Sequence, residues 1–452
     1  MEIFDKIIEH FEAGENILIT GGAGTGKSYS LGKILEHISE KHPDKNIART
    51  ALTGMASLQI ELGETLHKCL GIGMAQKKKH LKKITKNWNF QQKKIYEIMA
   101  LDLLIVDEIS MLRSDLLELI DELLKYVFSS EKPFGGLQVI FSGDFMQLPP
   151  IVKPDELDDF SKYGFWAFQS PIWESLKLKT IYLTEIKRQD DRKFSMALNM
   201  LRAGAVNDAV DEYFLNTKKT EFPENVDPVL LLGTNNEVSR INYNRLQKID
   251  AEVETYEARI KGDNEKVKAK LIKECPGESV LHLKPGAQVM ILINDKDGRY
   301  VNGSMGEYVG ETEVVTEVFN KSLNDFKSKR TEAVVVKLFE RDEIVEIPKQ
   351  EWKIEKEKKN KFGEDEVETL ASLEQFPIKL GWAITIHKSQ GMSIDYLQVD
   401  LSKCFADGMA YVALSRAKSY EGLRVVNWKR SAVQCNKDAF NFYMGMKQKG
   451  EI

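Results

Sequence analysis

The chain has 452 residues, 29% of them charged, and a formal net charge of −5, so it is long enough for roughly two to four domains and has no overall basic excess that would mark a nucleic-acid binder. Its four cysteines, Cys69, Cys275, Cys404 and Cys435, form no CxxC pair, and neither His67 nor His387 lies near a cysteine ligand set, which points to reduced thiols and no zinc. The acidic start Met1-Glu2-Ile3-Phe4-Asp5 and the lack of a long apolar run argue against a secretory leader or a membrane span; a soluble protein of the cytoplasm, or of a host cell's equivalent, is expected.

In chain order, the apolar run Ile17-Leu18-Ile19 predicts a buried strand that enters Gly21-Gly22-Ala23-Gly24-Thr25-Gly26-Lys27-Ser28 and then a helix through Leu35. Glycine-rich backbone at a helix N-terminus offers unpaired N–H groups to phosphate, and the spacing is that of a P-loop. Lys27 then reaches the β- and γ-phosphates of ATP, Ser28 places its hydroxyl on Mg²⁺, and Gly22, Gly24, Thr25 and Gly26 line the cradle.

Residues 45–52 read as a second strand that ends in Thr53-Gly54, a weaker anion site at the same sheet edge. After Thr65-Leu66-His67 comes a segment, 77–90, in which lysines are interleaved with Trp88 and Phe90. Lysines neutralise phosphates and aromatic faces stack on bases, but a solvated lysine-rich helix face has the same composition, and the two readings stand level. Leu103-Leu104-Ile105-Val106 next delivers Asp107 and Glu108 to the P-loop edge, where the Asp can hold Mg²⁺ and the Glu can activate water. A helix is predicted from Met111 through Lys125, with Leu112, Leu116, Leu117, Ile120 and Leu123 at helical spacing. The strand from Leu137 to Phe141 opens into Ser142-Gly143-Asp144-Phe145-Met146-Gln147-Leu148-Pro149-Pro150, whose stiffened turn makes Gln147 a candidate γ-phosphate sensor.

Further on, the buried-strand runs at 229–232, 396–400 and 423–426, separated by helical patterns, argue a second α/β unit. From 286 to 375 the texture changes to short β-rich runs bounded by Gly and Asn, an inserted all-β module. Its charged stretch 353–361 reads as a solvated hairpin tip or mobile loop.

The P-loop, Asp107-Glu108-Ile109-Ser110-Met111 and the 143–150 turn together resemble the Pif-one (petite integration frequency) helicases of superfamily 1B and, more distantly, RecD-like and Dda-like helicases. The resemblance continues through Leu183-Thr184-Glu185-Ile186-Lys187-Arg188-Gln189, Leu232-Gly233-Thr234-Asn235-Asn236, Val301-Asn302-Gly303, Thr385-Ile386-His387-Lys388-Ser389-Gln390-Gly391 and Tyr411-Val412-Ala413-Leu414-Ser415-Arg416-Ala417. It implies an α/β fold of two RecA-like motors, the first at 1–64 and 95–178 with a small basic insert at 65–94 that splits duplex. The second motor is then 179–285 and 376–452, with an SH3-like barrel inserted at 286–375. By the same resemblance Arg188 and Arg416 reach ATP and Gln390 and Gly391 contact it, while Thr53, Gly54, Thr65, His67, Asn302, Thr385, His387 and Lys388 grip single-stranded DNA. It further implies 5′-to-3′ ATP-driven unwinding of duplex or G-quadruplex DNA from single-strand junctions, by a monomer or a DNA-dependent dimer. The family's adenine-reading glutamine is missing; Phe4 stands in its place, which leaves adenine selectivity open. The short N-terminus fits a bacterial or phage form. A DNA-stimulated ATPase switch and a motor subunit of a helicase–nuclease complex are the alternative classes.

Overall fold

The computed structural model describes residues 3–52, 63–72, 92–160, 162–184, 192–224, 227–295, 297–300, 302–320, 325–339, 343–359 and 365–452. They divide into two compact units: Met1–Val226 with Leu230–Gly233 and Thr385–Ile452, and Asp227–Val229 with Thr234–Ile384.

The first unit is organised by a six-stranded sheet: β1 (Ile17–Gly21), β2 (Ile47–Ala51), β3 (Glu64–Thr65), β4 (Leu103–Asp107), β5 (Gln138–Gly143) and β6 (Lys179–Leu183), in the spatial order β3-β2-β4-β5-β1-β6. Every pairing is parallel. Parallel strands covered by helices on both faces read as continuous apolar runs, and β1 is buried along its whole length. Alternate side chains go to opposite faces. Ile17 and Ile19 pack with Ile7 and Phe11 of helix α1 (Ile3–Glu12) and with Leu31, Ile34 and Ile38 of helix α2 (Lys27–Lys41). Leu18 and Phe141 join the opposite core with Leu116, Leu117, Ile120 and Leu123. The helix carrying those leucines starts at Ser114 rather than Met111, because Ile109–Met111 forms a 3₁₀ turn and Arg113 is extended and bridged to Trp166.

β1, β4 and β5 end level, with Thr20 beside Gly143 and Val106 beside Phe141, so the loops after them share one edge. A second parallel arrangement in this unit pairs Leu397–Asp400 with Leu423–Asn427, as the apolar runs predict. The last helix, Lys437–Gln448, lies on the first sheet: Ala439, Tyr443 and Met446 are part of the Leu18 core, and Phe442 stacks on Phe168 at 4.3 Å. The family resemblance places this helix in the second motor; its aromatic face packs around Phe145, Trp166 and Trp173.

The second unit is largely antiparallel. A five-stranded sheet runs in the order Ile344–Pro348, Asp325–Leu338, Met305–Asn320, Ala287–Ile291, Ile378–Leu380. Its core includes Leu281, Leu283, Phe376 and Trp382, so the β module draws on residues on both sides of 286–375. Gln350–Lys359 is a strand paired with Asp365–Gln375, so most of the charged stretch is a hairpin arm, not a loop. Among the described residues no helix is long and apolar enough to cross a membrane.

Candidate active site

The P-loop joins β1 to α2. Gly26 caps α2 with φ at +89°, a left-handed conformation that a side chain would strain. The Lys27 Nζ donates to the carbonyls of Gly21 and Gly22 at 3.0 and 2.9 Å, and Thr25 Oγ1 donates to Gly22 at 2.9 Å, so the loop is braced by its own side chains. Burial pulls the Lys27 ammonium below the ordinary lysine value, against the attraction of Asp144 and Glu108. Phe4, by contrast, is packed on the Ile7 core, which commits at least part of its ring away from any base.

Across from the loop, β4 presents Asp107 and Glu108. Glu108 adopts a left-handed backbone, φ +55°, which a non-glycine residue holds only when its surroundings impose it, and strain of this kind gathers at functional sites. Burial raises both carboxyls, and for Glu108 the neighbouring Asp107 charge adds to the rise. Gln390 Nε2 donates to Glu108 Oε2 at 3.1 Å and to Gln147 Oε1 at 3.4 Å, while its own buried Oε1 has no hydrogen-bond donor among the described residues.

These groups surround a cavity of ≈ 490 Å³ lined by Ala23, Gly24, Gly26, Lys27, Ser28, Tyr29, Glu108, Gln147, Gly391 and Arg416. Its size suits a nucleotide. Arg416 is 3% exposed; its guanidinium donates to the carbonyls of Val412 and Met392 at 3.0 and 3.3 Å and to Ser415 Oγ at 2.9 Å. Gly408 is needed for close packing here, since a Cβ would stand 2.4 Å from the Gln147 carbonyl. Ser28 and Asp107 offer only oxygen, the donor set Mg²⁺ prefers, and two neighbouring carboxyls raised by burial are a place where divalent charge is favoured.

Sequence reasoning missed the group that holds this arrangement from behind. The Ala23 N–H donates to the Tyr411 hydroxyl at 2.6 Å, and that hydroxyl donates to Asp144 Oδ2 at 3.1 Å. Asp144, fully buried, takes a forked pair from Arg202, 2.8 Å at the shortest, and Arg202 also donates to the Tyr182 hydroxyl at 3.1 Å. Tyr443 links Thr20 at 2.6 Å to the Phe145 amide at 3.2 Å, with the Arg202 guanidinium 4.8 Å above its ring. The P-loop backbone is thereby tied to the same short helix, Met409–Leu414, that precedes Arg416.

The nucleic-acid candidates are only partly within the described residues. Thr53, Gly54, the basic 77–90 segment and Arg188 lie outside them. Thr65 caps the short helix Leu66–Cys69, its hydroxyl accepting the Lys68 N–H at 3.3 Å, and half-buried His67 follows it. Thr385 is buried and its hydroxyl accepts the Lys388 N–H at 3.4 Å, so it orients Lys388, which is exposed. Burial lowers the pKa of both His67 and His387, which keeps both imidazoles neutral at pH 7. His387 stacks on Phe405, ring centroids 5.9 Å apart and 20° from parallel, and Phe405 is 67% exposed. No sequence signal singled out Phe405. Asn302 belongs to the second unit, where its N–H donates to Asn294 Oδ1 at 2.7 Å.

The PIF1-like helicase family model matches residues 1–212. The Pif1 helicase of a Psychrobacter species is 33% identical over 93% of this chain and 67% of its own length. The chain belongs to the PIF1-like helicase family. The PIF1 helicase of Emericella nidulans, 32% identical over 98% of this chain, is covered over 62% of its length, so the chain spans about three-fifths of several curated PIF1 relatives. Among solved structures, the Pif1 helicase from Candida albicans superposes with a TM-score of 0.83 at 32% identity, covering 99% of each chain. A Bacteroides Pif1 bound to single-stranded DNA gives 0.73 at 28% identity, over 100% of this chain and 98% of that one. Within the PIF1-like frame, the P-loop, Asp107-Glu108 and the turn carrying Asp144 and Gln147 fall in the segment matched by the family model, and Arg416 and Tyr411 come from beyond it.

Proposed function

We propose that the chain is an ATP-dependent DNA helicase that moves 5′ to 3′ on single-stranded DNA and separates duplex at single-strand junctions. The observation that carries the reading is the cavity in which Lys27, Glu108, Gln147 and Arg416 meet on the P-loop edge of a parallel sheet. Relatives named ATP-dependent DNA helicase, and a Bacteroides Pif1 described with ADP-AlF4, support ATP as the nucleotide. The polarity rests on the family resemblance alone.

In this reading Lys27 and the loop amides hold the β- and γ-phosphates, and Glu108, its basicity raised by burial, takes the proton of the attacking water. Mg²⁺, for which Ser28 and Asp107 are the candidate ligands, would neutralise phosphate charge. Gln147, with Gln390 beside it, senses the γ-phosphate; Arg416, joined by Arg188, faces the charge that develops on transfer, and Gly391 leaves room for the nucleotide. Two RecA-like motors, a duplex-splitting insert at 65–94 and an SH3-like module closing over the strand are the organisation this motor needs. It works as a monomer that pairs on forked substrates; a solved structure 28% identical to this chain, described as two coordinating Pif1 helicases unwinding forked duplex DNA, supports the pairing.

Thr53, Gly54, Thr65, His67, Asn302, Thr385, His387 and Lys388 grip the strand. Neutral His67 and His387 contribute hydrogen bonds and stacking, and Lys388 contributes charge. The exposed ring of Phe405 on His387 extends this surface. Stacking on one base contributes about 1–3 kcal/mol, so Phe405→Ala should weaken single-strand binding by roughly tenfold without changing its salt dependence. Fluorescence anisotropy over a salt series checks this; unchanged affinity would remove Phe405 from the surface.

The test of the function is unwinding of duplexes with a 5′ or a 3′ single-stranded tail. Strand separation should need the 5′ tail and ATP. Glu108→Gln should still bind ATP, yet hydrolyse it about 10²–10⁴-fold more slowly and unwind nothing. DNA-stimulated hydrolysis with no strand separation on any substrate would favour an ATPase switch instead.

A further inference from the structure

We propose that Glu12, His37 and His42 form a binding site for one divalent transition-metal ion of the Zn²⁺ class, at the C-terminal ends of α1 and α2. Cysteine spacing in the sequence argued against zinc. The fold brings together ligands that the spacing could not show, because the carboxylate and the two imidazoles come from different helices.

His37 Nε2 lies 2.8 Å from Glu12 Oε1, and His42 Nε2 lies 2.9 Å from the same oxygen and 3.0 Å from Oε2. The three ligand atoms all fall within 4.8 Å of one another. Bonds of about 2.0–2.2 Å to a tetrahedral Zn²⁺ set ligand atoms about 3.3 Å apart, so each imidazole nitrogen needs to draw back from Glu12 by only about half an ångström, and the two nitrogens already lie within 4.8 Å of each other. All three positions are anchored: Glu12 ends α1, His37 lies within α2, and His42 is its C-cap, with its N–H donating to the Ile38 carbonyl. The His42 ring stands edge-on to Phe11 at 5.9 Å and to His37 at 6.3 Å. Side-chain exposures of 20%, 30% and 42% for His37, His42 and Glu12 leave an approach from solvent and room for a fourth, water ligand.

Two nitrogens and one oxygen select Zn²⁺, Ni²⁺ or Cu²⁺ over Mg²⁺. That separates this site from the nucleotide cavity, whose candidate cation ligands are all oxygen. Without metal, each Nε2 carries the proton it donates to Glu12. With metal, each Nε2 gives its lone pair to the ion, the ring proton resides on Nδ1, and the Glu12 carboxylate offsets part of the added charge. The ion would clasp α1 to α2. α2 runs Lys27–Lys41, about 22 Å at 1.5 Å per residue, so the clasp sits at the opposite end from Lys27 and acts on stability of the first unit rather than on phosphate chemistry.

The experiment titrates Zn²⁺ into the full chain in excess Mg²⁺, against a chromophoric chelator, and follows the melting temperature and the imidazole resonances. One saturable ion per chain is expected, with a rise in melting temperature reversed by EDTA and with shifts of the His37 and His42 resonances. Loss of an outer-sphere partner weakens metal sites by about 10–100-fold, so loss of a direct ligand in Glu12→Gln, His37→Gln or His42→Gln should weaken binding at least tenfold. His282→Gln, far along the chain in the second unit, should bind as the parent does. A hydrogen-bonded cluster only, seen as no saturable binding, as His37 and His42 resonances unmoved by Zn²⁺, or as parental affinity in the Glu12 and His37 variants, would overturn the proposal. The resonance measurement needs no variant and so survives misfolding of any of them.

Discussion

Replacing Arg416 with alanine is expected to lower DNA-stimulated ATP turnover by about 10³-fold or more while ATP affinity changes little. The guanidinium is held beside the cavity by two backbone carbonyls and Ser415 Oγ, and its positive charge opposes the burial-driven rise of Glu108. A cation fixed before the reaction stabilises charge that appears only in the transition state, so its loss should appear in kcat and not in nucleotide binding. Arg416→Lys keeps the charge but not the planar fork, and should recover only part of the rate. Because the carbonyls of Val412 and Met392 each lose the Arg416 donor in the alanine variant, a melting curve must accompany the kinetics. Turnover within about threefold of the parent, in a folded variant, would remove Arg416 from the reaction.

What could be read in advance follows from how local each signal is. Ile17-Leu18-Ile19, Leu103 to Val106 and Leu137 to Phe141 were legible as strands because a parallel sheet covered on both faces makes apolar runs obligatory, and the P-loop was legible because its glycines are fixed by backbone geometry. The stretch 353–361 reads as a solvated hairpin tip or mobile loop because its mixed Lys and Glu carry no apolar period. In the structure most of that stretch lies along a hairpin arm, with Trp352 opposite Leu373 at the better-packed end. Asp144, Arg202, Tyr411 and Tyr443 were illegible for another reason: each is ordinary where it stands, and only the fold places residues from three distant segments on the buried Asp144 carboxylate. The Glu12, His37 and His42 cluster has the same character. Chemistry carried by one loop can be read from a sequence; chemistry assembled by tertiary contact is read from the sheet and helices that assemble it.

The Asp144–Arg202 pair should therefore be the costliest place to break the first unit. Asp144 is fully buried and the Arg202 side chain is 12% exposed, so removing either partner strands a charge in the interior, at about 3–5 kcal/mol of stability for Asp144→Asn or Arg202→Met. The double variant should cost less than the sum, with a coupling of about 0.5–3 kcal/mol, since it removes the stranded charge as well as the bond. The pair should also set part of the acid sensitivity. Burial alone would push the Asp144 carboxyl up, but the Arg202 guanidinium, together with Lys27 and the Met146 N–H, outweighs it and holds the group below the usual carboxylate range. A folded-state value below the unfolded one, which is about 3.9, means that the stabilisation is fully present above pH 4 and is lost as pH falls through the folded value. Asp107 and Glu108 act with the opposite sign. Their folded values are raised, so the stability they contribute is present at low pH and declines as pH climbs through the carboxylate range toward those values. Denaturant unfolding at pH 7 and near pH 3 separates the two: the gap between Asp144→Asn and the parent should narrow at the lower pH. Because Asp144 also receives the Tyr411 hydroxyl that fixes the Ala23 N–H, the same variant should weaken ATP binding in the folded protein. A cost below about 1 kcal/mol at pH 7 with unchanged ATP affinity would show that the P-loop is held without this pair, and that Tyr411 and Tyr443 brace it by packing alone.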